Sequence, residues 1–520
     1  MNTKPVKYPV GRQNFAEIRE EGFLYIDKTE YIYNLTHGDA PYIILSRPRR
    51  FGKSLLVSTL RSYFEGRREL FEGLAMEKLE TEWRKYPVLQ FDMSWGKHLD
   101  ESHLEAFLDY QLREYEKIYG REPYDTLLNG RLFSLIRRAN QQTGEKVVVL
   151  IDAYDAPWLD EDIDAKQLVN RRNILENFYN PLKDADPYLK FMFLTGSTPY
   201  PISHWGPSLN NLHDISLLER FSEICGITED EMIRYMSEGI DKFAAKWNVG
   251  RDETIARLRT FLGGYRFTSS YSCLYEPDSL FNSLSKGELD YCRFGGLVTA
   301  DFLKTMHEHD FKPSELGCCH KSTERYFYRV IEMPASIYAF LYRNGFYTIK
   351  EYDDVVDLYT LGLPNSDVRF RLMRLFEPDF ATYPLPSFET GIAMFYGALL
   401  QHDIDGAFTL LQTFFKTVPY CNDIDHEGHW QQMLYVVFSL LGARCDVEVH
   451  TADGRVDLVA AMWGKLYLME IKLDKPAGEA LGQIDLKEYD KRFALYDLPV
   501  VKIGVCFSTK ERTITEWVVE

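Results

Sequence analysis

The sequence predicts a protein of the α/β class, with a parallel sheet in its first part, a helical middle and a second α/β domain at its C-terminal end. Short apolar runs alternate with long amphipathic stretches over 1–227, whereas 228–390 is rich in aromatic residues and has helical periodicity. Strands and helices alternate again over 391–520. Such alternation is typical of parallel sheets with helices on both faces. The 520 residues are enough for about three domains.

The individual elements follow from apolar periodicity along the chain. Four nearly continuous apolar runs predict strands buried on both faces: Tyr42–Ser46, Val88–Met93, Val147–Asp152 and Phe191–Gly196. The middle part predicts helices over Glu229–Trp247 and Asp252–Leu262. The last part predicts helices over Gly428–Leu441 and 478–493, and strands over 445–449, 456–461, 466–473, 500–507 and 512–519. We therefore expect a first domain over 1–227, a helical lid and connector over 228–390, and a C-terminal domain over 391–520.

The composition limits the classes of function. Lys and Arg number 60 and Asp and Glu 78, for a net charge of −18, so contact with nucleic acid would need a local basic patch or metal ions. The eight cysteines form no CxxC pair, which argues against a structural zinc site and for a reducing compartment. The N-terminus does not read as a signal peptide, and the apolar runs are far shorter than the ~20 residues of a membrane span. We expect a cytoplasmic protein without a membrane partner.

The segment after the first strand has the pattern of a phosphate-binding loop. Gly52, Lys53 and Ser54 match the second half of G-x-x-x-x-G-K-[ST], with Arg47 in place of the first glycine. The glycine lets backbone amides turn toward phosphate, the lysine would bridge the β- and γ-phosphates, and the serine would bind Mg²⁺. A basic surface loop is the alternative. The candidate ATP-binding residues are Arg47, Arg49, Arg50, Phe51, Gly52, Lys53, Ser54, Leu55 and Asp152.

Two further strand ends complete the predicted nucleotide site. Asp152 ends an apolar strand and would hold Mg²⁺, although an aspartate here can also simply form a turn. Hydrolytic members of this class place a glutamate next, but the chain has Ala153, which cannot orient water or take a proton. Thr195 or Ser197, at the end of the fourth strand, is a candidate sensor of the γ-phosphate; a plain turn is the alternative.

A second constellation lies in a predicted hairpin near the C-terminal end. If Trp463 and Gly464 form the turn, Asp457 lies opposite Glu470, with Cβ atoms ~4.5–5.5 Å apart. Lys472 is two residues further and shares the face of Glu470. Two carboxylates and a lysine so arranged can bind metal and activate water for phosphodiester cleavage. The alternative is a cross-strand cluster of salt bridges.

Together these features resemble bacterial AAA-ATPase-like proteins that carry a C-terminal PD-(D/E)xK domain. The resemblance extends over nearly the whole chain and rests on PVGRQNFAEIREEGFLYIDKTEYI (9–32), RPRRFGKS (47–54), IDAYD (151–155), LTGSTPY (194–200), SLNNLHDISL (208–217), RFSEICGITEDEM (220–232) and GGYRF (263–267). It implies a P-loop NTPase sheet with a helical lid and connector, a restriction-endonuclease-like α/β domain, and binding of Mg²⁺ and ATP.

The resemblance also implies roles for single residues. Arginine is usual where Arg47 stands, whereas Ala153 departs from the usual Asp-Glu-Tyr-Asp. Glu427 would join the metal site, and Gln483 would steady the lysine or a substrate phosphate; the alternatives are a helix N-terminal acid and a solvated helix face. Arg220 would sense charge near the nucleotide, or form a surface salt bridge.

The sequence thus predicts an ATP-gated, metal-dependent nuclease. The expected catalytic residues are Asp457, Glu470, Lys472 and Gln483, and the expected metal ligands are Ser54, Asp152, Glu427, Asp457 and Glu470. Mg²⁺ would serve both sites, with Mn²⁺ as a substitute at the nuclease site. The expected partner is nucleic acid, DNA rather than RNA, with a homo-oligomer by analogy and a role in genome maintenance or defence. The rival hypothesis is a nucleotide-dependent switch joined to a non-catalytic docking domain.

Overall fold

A computed structural model provides the structure of the chain. It describes residues 6–96, 100–158, 165–198, 209, 211–269, 272–289, 306, 309, 311, 320–324, 337–375, 394–395, 398–399, 403–415, 427–440, 444–451, 454–462, 465–486 and 498–520. Two compact units are present, one from Met1–Asp290 and Lys321–Asn365, the other from Tyr291–His320 and Ser366–Glu520. The boundaries near 227 and 390 remain a prediction.

The first unit is built on a five-stranded sheet. Its strands are β1 (Tyr42–Ser46), β2 (Val88–Asp92), β3 (Val147–Asp152), β4 (Leu189–Gly196) and β5 (His213–Asp214). They are all parallel, in the order β2-β3-β4-β1-β5. The four strands predicted from apolar runs are confirmed within a residue or two at either end. Because β3, β4 and β1 are parallel neighbours, their carboxyl ends lie side by side at one edge of the sheet, where open α/β sheets bind ligands.

Helices cover both faces of this sheet. They are α1 (Phe15–Glu20), α2 (Thr29–Thr36), α3 (Lys53–Phe64), α4 (Ala75–Leu79), α5 (Glu101–Tyr119), α6 (Leu128–Thr143), α7 (Ala165–Tyr179) and α8 (Pro181–Asp184). One face of the sheet packs with α5 to α8 in a core that includes Leu108, Leu135 and Phe178. None of the described helices is both long and apolar enough to span a membrane.

The lid of the first unit is less purely helical than the sequence predicts. Its helices are α9 (Glu229–Tyr235), α10 (Ser237–Trp247), α11 (Arg251–Leu262), α12 (Pro277–Lys286) and α13 (Ile337–Arg343). Its short strands are β6 (Ile227–Thr228), β7 (Leu274–Tyr275), β8 (His320–Ser322), β9 (Thr348–Asp353) and β10 (Leu358–Gly362). The single helix expected over Glu229–Trp247 is broken at Met236, which leaves helical geometry (φ −123°, ψ 25°). Met232, Met236 and Ile240 still share one core across the break.

The second unit contains a mixed five-stranded sheet. Its strands are β11 (Arg444–Thr451), β12 (Gly454–Met462), β13 (Lys465–Leu473), β14 (Val500–Ser508) and β15 (Thr513–Val519), in sequential order. Its helices are α14 (Ser366–Leu375), α15 (Ile404–Phe415), α16 (Glu427–Leu440) and α17 (Ala477–Leu486). The predicted strands are confirmed; residues 487–493 of the helix expected over 478–493 lie outside the described residues. Only β13 and β14 are parallel, and α17 connects them.

Both faces of β13 are buried. Leu466 and Leu468 pack with Ile484 of α17, whereas Tyr467 on the opposite face lies near Phe438 of α16. Period-two alternation therefore directs Glu470 and Lys472 toward α17. This places the predicted acid and lysine between the sheet and a helix that itself carries a candidate residue.

Candidate functional site

The phosphate-binding loop has two left-handed backbone positions, one at Gly52 (φ 90°) and one at Arg50 (φ 68°). Glycine adopts this conformation at little cost, whereas arginine does so only when its surroundings impose it. Phe51 provides that constraint, because its buried ring packs edge-on against Tyr265 and Phe267, 4.9 Å away in each case. The loop thus leads directly into α3, whose N-terminal end can bind an anion.

Arg47 has a buried guanidinium that is engaged by main-chain carbonyls. It donates to the oxygens of Ser46 (2.9 Å), Ser216 (2.7 Å) and Phe221 (3.1 Å), and lies 4.5 Å from the ring of Phe267. These bonds tie the start of the loop to the segment after β5. The geometry gives the Arg47 side chain a structural part, and leaves phosphate contact to the residues that follow it.

Lys53 is folded back onto its own loop. Its ammonium donates to the carbonyl oxygens of Arg47 and Pro48, both at 2.9 Å, and the residue is only 9% exposed. Burial lowers the pKa of the ammonium, although the carboxylates of Asp155 and Asp152 oppose the shift. A buried ammonium at the start of a helix can exchange these carbonyl oxygens for phosphate oxygens without moving far.

Asp152 and Ser54 meet across the gap between β3 and α3. Burial raises the pKa of Asp152, and a hydrogen bond with the Ser54 hydroxyl opposes that shift. Asp152 is 6% exposed, and among the described residues its Oδ1 atom has no hydrogen-bond partner. A buried carboxylate oxygen without a partner is costly, and oxygen ligands of this kind suit Mg²⁺. Asp152 and Ser54 therefore fit a magnesium ion.

Of the two sensor candidates, Thr195 lies on β4, between β1 and β3, and Ser197 directly follows that strand. Thr195 is fully buried, and its hydroxyl has no partner within the described part of the chain. The backbone N–H of Ser197 instead donates to Asp155. Arg220 is exposed, in a 3₁₀ turn, with its guanidinium 5.0 Å from the ring of Phe221.

Asp155 closes the turn after β3. The Oδ2 atom of its carboxylate accepts the N–H groups of Ser197 (2.8 Å) and Thr198 (2.6 Å), and the residue is 1% exposed. Ala153, two positions earlier, lies in the left-handed region (φ 52°). The turn therefore directs Asp155 to the end of β4 and leaves only a methyl group at the place of the missing glutamate.

Replacing Asp155 by alanine is expected to destabilise the first unit. The buried N–H of Thr198 and the half-buried N–H of Ser197 would lose their acceptor, which costs about 3 kcal/mol. Chemical denaturation should detect the loss, and Asp155→Asn should retain most of the stability because the amide oxygen still accepts. Equal stability of the alanine variant and the wild type would contradict this account of the turn.

A cavity of about 310 Å³ opens beside the loop. Its wall includes the loop residues Gly52, Lys53 and Ser54, together with Gln13 before α1 and Asp278 of α12. The volume is at the lower end of the ~300–1,000 Å³ typical of ligand pockets. The cavity extends from the phosphate-binding loop toward polar groups that could contact the rest of a nucleotide.

Glu470 is the centre of the second candidate site. It is 1% exposed on β13, and its Oε1 atom accepts hydrogen bonds from the Gln483 amide of α17 and from Lys472 Nζ (3.3 Å). The structure therefore brings three of the four predicted catalytic residues together. A buried ion pair adds little to the stability of a protein, even though removal of one partner is strongly destabilising. The presence of such a pair here is therefore more typical of a functional site than of a stabilising contact.

Asp457 reaches the same strand from β12. The predicted register is found from Met462–Lys465 to Leu458–Met469, while Trp463 and Gly464 lie outside the described residues. Beyond this ladder, Asp457 Oδ2 accepts the N–H of Ile471 at 2.9 Å. The carboxylate is thus anchored beside Glu470 by a main-chain bond that the register alone does not predict.

Helix α16 supports this site from another direction. It begins at Glu427, as the predicted metal ligand requires, but the Glu427 side chain lies outside the described residues. Gln431, one turn later, donates to the carbonyl oxygen of Asp457 at 2.5 Å. The described residues contain no group of three or more His, Cys, Asp or Glu side chains at metal-binding spacing. Asp457 and Glu470 nevertheless supply the oxygen donors that a hard divalent cation needs.

Sequence reasoning missed two residues of these sites. No role is predicted for Asp155 from the sequence, although an aspartate three residues after a strand end is a common turn acceptor. Gln431 carried no signal, because its contact with Asp457 depends on how α16 packs on β12. Both residues position other groups.

Comparisons with known proteins agree with this geometry. A family described as Predicted AAA-ATPase matches residues 9–203, and the PD-(D/E)XK nuclease superfamily matches residues 425–517. A protein of Azotobacter chroococcum mcd 1, described as an uncharacterized protein in the vnfD 5′ region, is 31% identical over 527 residues, with 99% of each chain covered. The chain therefore belongs to the family of AAA-ATPase-like proteins that carry a C-terminal PD-(D/E)XK nuclease superfamily domain.

Proposed function

We propose that this protein is an ATP-regulated, metal-dependent nuclease that cleaves phosphodiester bonds in DNA. The observation that carries the proposal is the buried Glu470 carboxylate, which is held by Lys472 and Gln483 beside the anchored carboxylate of Asp457. Carboxylates, an amide and an ammonium in this arrangement are what hydrolysis of a phosphodiester requires. The setting we propose is cytoplasmic genome maintenance or defence, with a homo-oligomer as the working form.

Each residue has a distinct part in the proposed cleavage. Asp457 and Glu470 would hold Mg²⁺ or Mn²⁺, with Glu427 as a third ligand; the bound metal would polarise the phosphodiester and make water acidic. Lys472, 3.3 Å from Glu470, would stabilise charge that develops on the phosphorus oxygens. Gln483 would fix the orientation of Glu470. Acidic protein surfaces repel DNA, so the metal and Lys472 would provide the local positive charge.

The ATP site is proposed to act chiefly as a switch. Lys53, Ser54 and Asp152 offer contacts for phosphate and Mg²⁺, as the P-loop residues do in related folds. Ala153 supplies no carboxylate, and the Asp155 carboxylate already accepts two N–H groups. Bound ATP would therefore be hydrolysed only slowly, and its presence would control cleavage.

Replacing Ala153 by glutamate is expected to raise ATP hydrolysis about 100-fold, the usual contribution of a positioned general base. Ala153 already adopts a left-handed backbone conformation with a Cβ atom, so a glutamate at the same position adds little backbone strain. Phosphate release under single-turnover conditions measures the effect, with Ala256→Glu, at an exposed position of α11, as the control. No increase, in a variant that still binds ATP, would contradict the assigned cause of slow hydrolysis.

A nucleotide-dependent switch with a non-catalytic docking domain is the second candidate. The absence of a carboxylate at Ala153 favours it for the ATPase part. Lys472→Ala separates the two candidates, because it should abolish cleavage and spare nucleic-acid binding if the C-terminal domain is a nuclease. A domain that only docks would bind without cutting in both forms.

The proposal is tested by incubating the full chain with labelled single- and double-stranded DNA and RNA in Mg²⁺ or Mn²⁺, with and without ATP. DNA cleavage that changes with ATP is the expected result. Cleavage of RNA alone would make RNA, and not DNA, the substrate. A cleavage rate that does not change with ATP would contradict the proposed regulation. A protein that binds ATP and cuts none of the four substrates would favour the docking candidate.

A further inference from the structure

Asp92 stands at the end of β2 beside Asp152, and no role has so far been assigned to it. The two aspartates are register partners on neighbouring parallel strands, and the pairing continues as Met93 N–H donates to the Asp152 carbonyl at 2.9 Å. Paired positions on adjacent strands direct their side chains to the same face of the sheet, with strands about 4.8 Å apart. The Asp92 and Asp152 side chains therefore share one face.

That face is the one covered by α3, the helix that follows the phosphate-binding loop. Ser54 in its first turn is close enough to Asp152 to offset part of the rise that burial causes in the pKa of that carboxyl, and Arg61 two turns later approaches Gln90 of β2, with Nη1 and Oε1 3.5 Å apart. The helix thus runs from the Asp152 strand across β2. Asp92 lies at the loop end of this path, next to the proposed phosphate and magnesium contacts.

Other carboxylates at this edge already have assignments. Asp155 accepts the N–H groups of Ser197 and Thr198, and Asp152 meets Ser54 and fits a magnesium ion. Asp92 is partly exposed, and Ser94 N–H donates to its Oδ1 atom at 2.9 Å, which fixes the orientation of the carboxylate. The backbone N–H of Asp92 donates to Gln111 Oε1 at 3.0 Å, but among the described residues the Asp92 carboxylate accepts no other hydrogen bond, so an oxygen remains for water.

A second observation marks this edge as a ligand site. The buried Oδ1 atom of Asp152 and the buried hydroxyl of Thr195 both have no hydrogen-bond partner in the described part of the chain. Buried polar atoms normally have partners, and those at functional sites are often left for a ligand or its water. Asp92 therefore borders a place prepared for polar atoms.

We propose that the slow ATP hydrolysis that remains without a glutamate at position 153 uses Asp92 as the acceptor of the proton of the attacking water. The water oxygen forms a bond to the γ-phosphorus, the bond from that phosphorus to the β–γ bridging oxygen breaks, and ADP leaves with the electron pair. The proton passes to the Asp92 carboxylate and from there to solvent. The inference rests on the proposed binding of ATP at Lys53 and Ser54.

The test compares Asp92→Asn with wild type in the full-length protein. Asparagine keeps the shape and the Ser94 hydrogen bond but accepts no proton, so hydrolysis should fall about 100-fold. Affinity for MgATP, measured by titration calorimetry, and the apo unfolding temperature should stay unchanged. Gln90→Ala, on the same face two residues earlier, is the matched control and should hydrolyse ATP as wild type does. Adding Ala153→Glu to Asp92→Asn should restore hydrolysis.

Three results would overturn the inference while leaving the proposed function intact. They are an Asp92→Asn variant that hydrolyses ATP at the wild-type rate, one that no longer binds MgATP, and a wild type that binds ATP yet hydrolyses it only after Ala153→Glu. The second would make Asp92 a binding residue, and the third would leave no proton acceptor in the native site. Failure of the wild type itself to bind ATP would instead overturn the proposed function.

Discussion

Glu470→Gln is expected to reduce DNA cleavage below detection while DNA binding and folding persist. Glutamine has the same shape, and its side-chain oxygen can still accept from Lys472 and Gln483, which now converge on Glu470 Oε1. It carries no negative charge, however, so the site would lose an anionic metal ligand at its centre. Because a metal-activated water depends on that ligand, cleavage should fail at the chemical step.

The measurement is a time course of labelled duplex DNA with Mn²⁺, together with a binding assay in Ca²⁺. Glu479→Gln is the matched control, since it removes the same charge from an exposed position on α17 without touching Glu470. The control should cut as wild type does. Undiminished cleavage by Glu470→Gln would mean that the nuclease site does not include Glu470. Loss of DNA binding in both variants would mean that the net charge of the protein, and not this site, determines DNA binding.

The two sheets were predictable because their strands follow simple patterns. Val147–Asp152 is buried at every position, and a strand covered on both faces needs an uninterrupted apolar run. The β9–β10 hairpin was not predicted, since its alternation is partial and its tip has no glycine, proline or asparagine signal. That tip instead exposes Val355 (87%) and Val356 (56%), residues that usually indicate a strand interior.

In the two candidate sites, contacts between residues close in sequence were predictable, and contacts between distant segments were not. Glu470 and Lys472 share a face because they are two residues apart on one strand, which the sequence states directly. The Asp155 contacts with Ser197 and Thr198 join two strands that only the folded sheet brings together. Asp92 beside Asp152 depends likewise on strand order, which apolar runs do not encode.

Lys53→Met is expected to abolish ATP binding without destabilising the ATP-free protein. Burial lowers the pKa of the Lys53 ammonium, so the apo protein gains little from the charge it holds there. An apolar side chain of similar length in place of a buried charge is often neutral or stabilising. Two hydrogen bonds, to the carbonyl oxygens of Arg47 and Pro48, are lost in exchange. The apo unfolding temperature should therefore change little.

The effect should appear when nucleotide is added. A ligand at 100 times its Kd stabilises a protein by about 2.7 kcal/mol, so MgATP should raise the unfolding temperature of wild type. The methionine variant should show no such shift, because each charge-assisted bond to phosphate contributes about 1.5–3 kcal/mol of binding. Any ATP effect on DNA cleavage should vanish with it, while cleavage without ATP continues.

Lys146→Met provides the matched control, since Lys146 is exposed just before β3 and does not line the cavity. It should keep both the thermal shift and the response of cleavage to ATP. A thermal shift that survives in Lys53→Met would place ATP elsewhere than the phosphate-binding loop. If the thermal shift is lost but ATP still regulates cleavage, a second nucleotide site must govern the nuclease. A phosphate-binding loop that no longer binds ATP cannot transmit its effect to the nuclease.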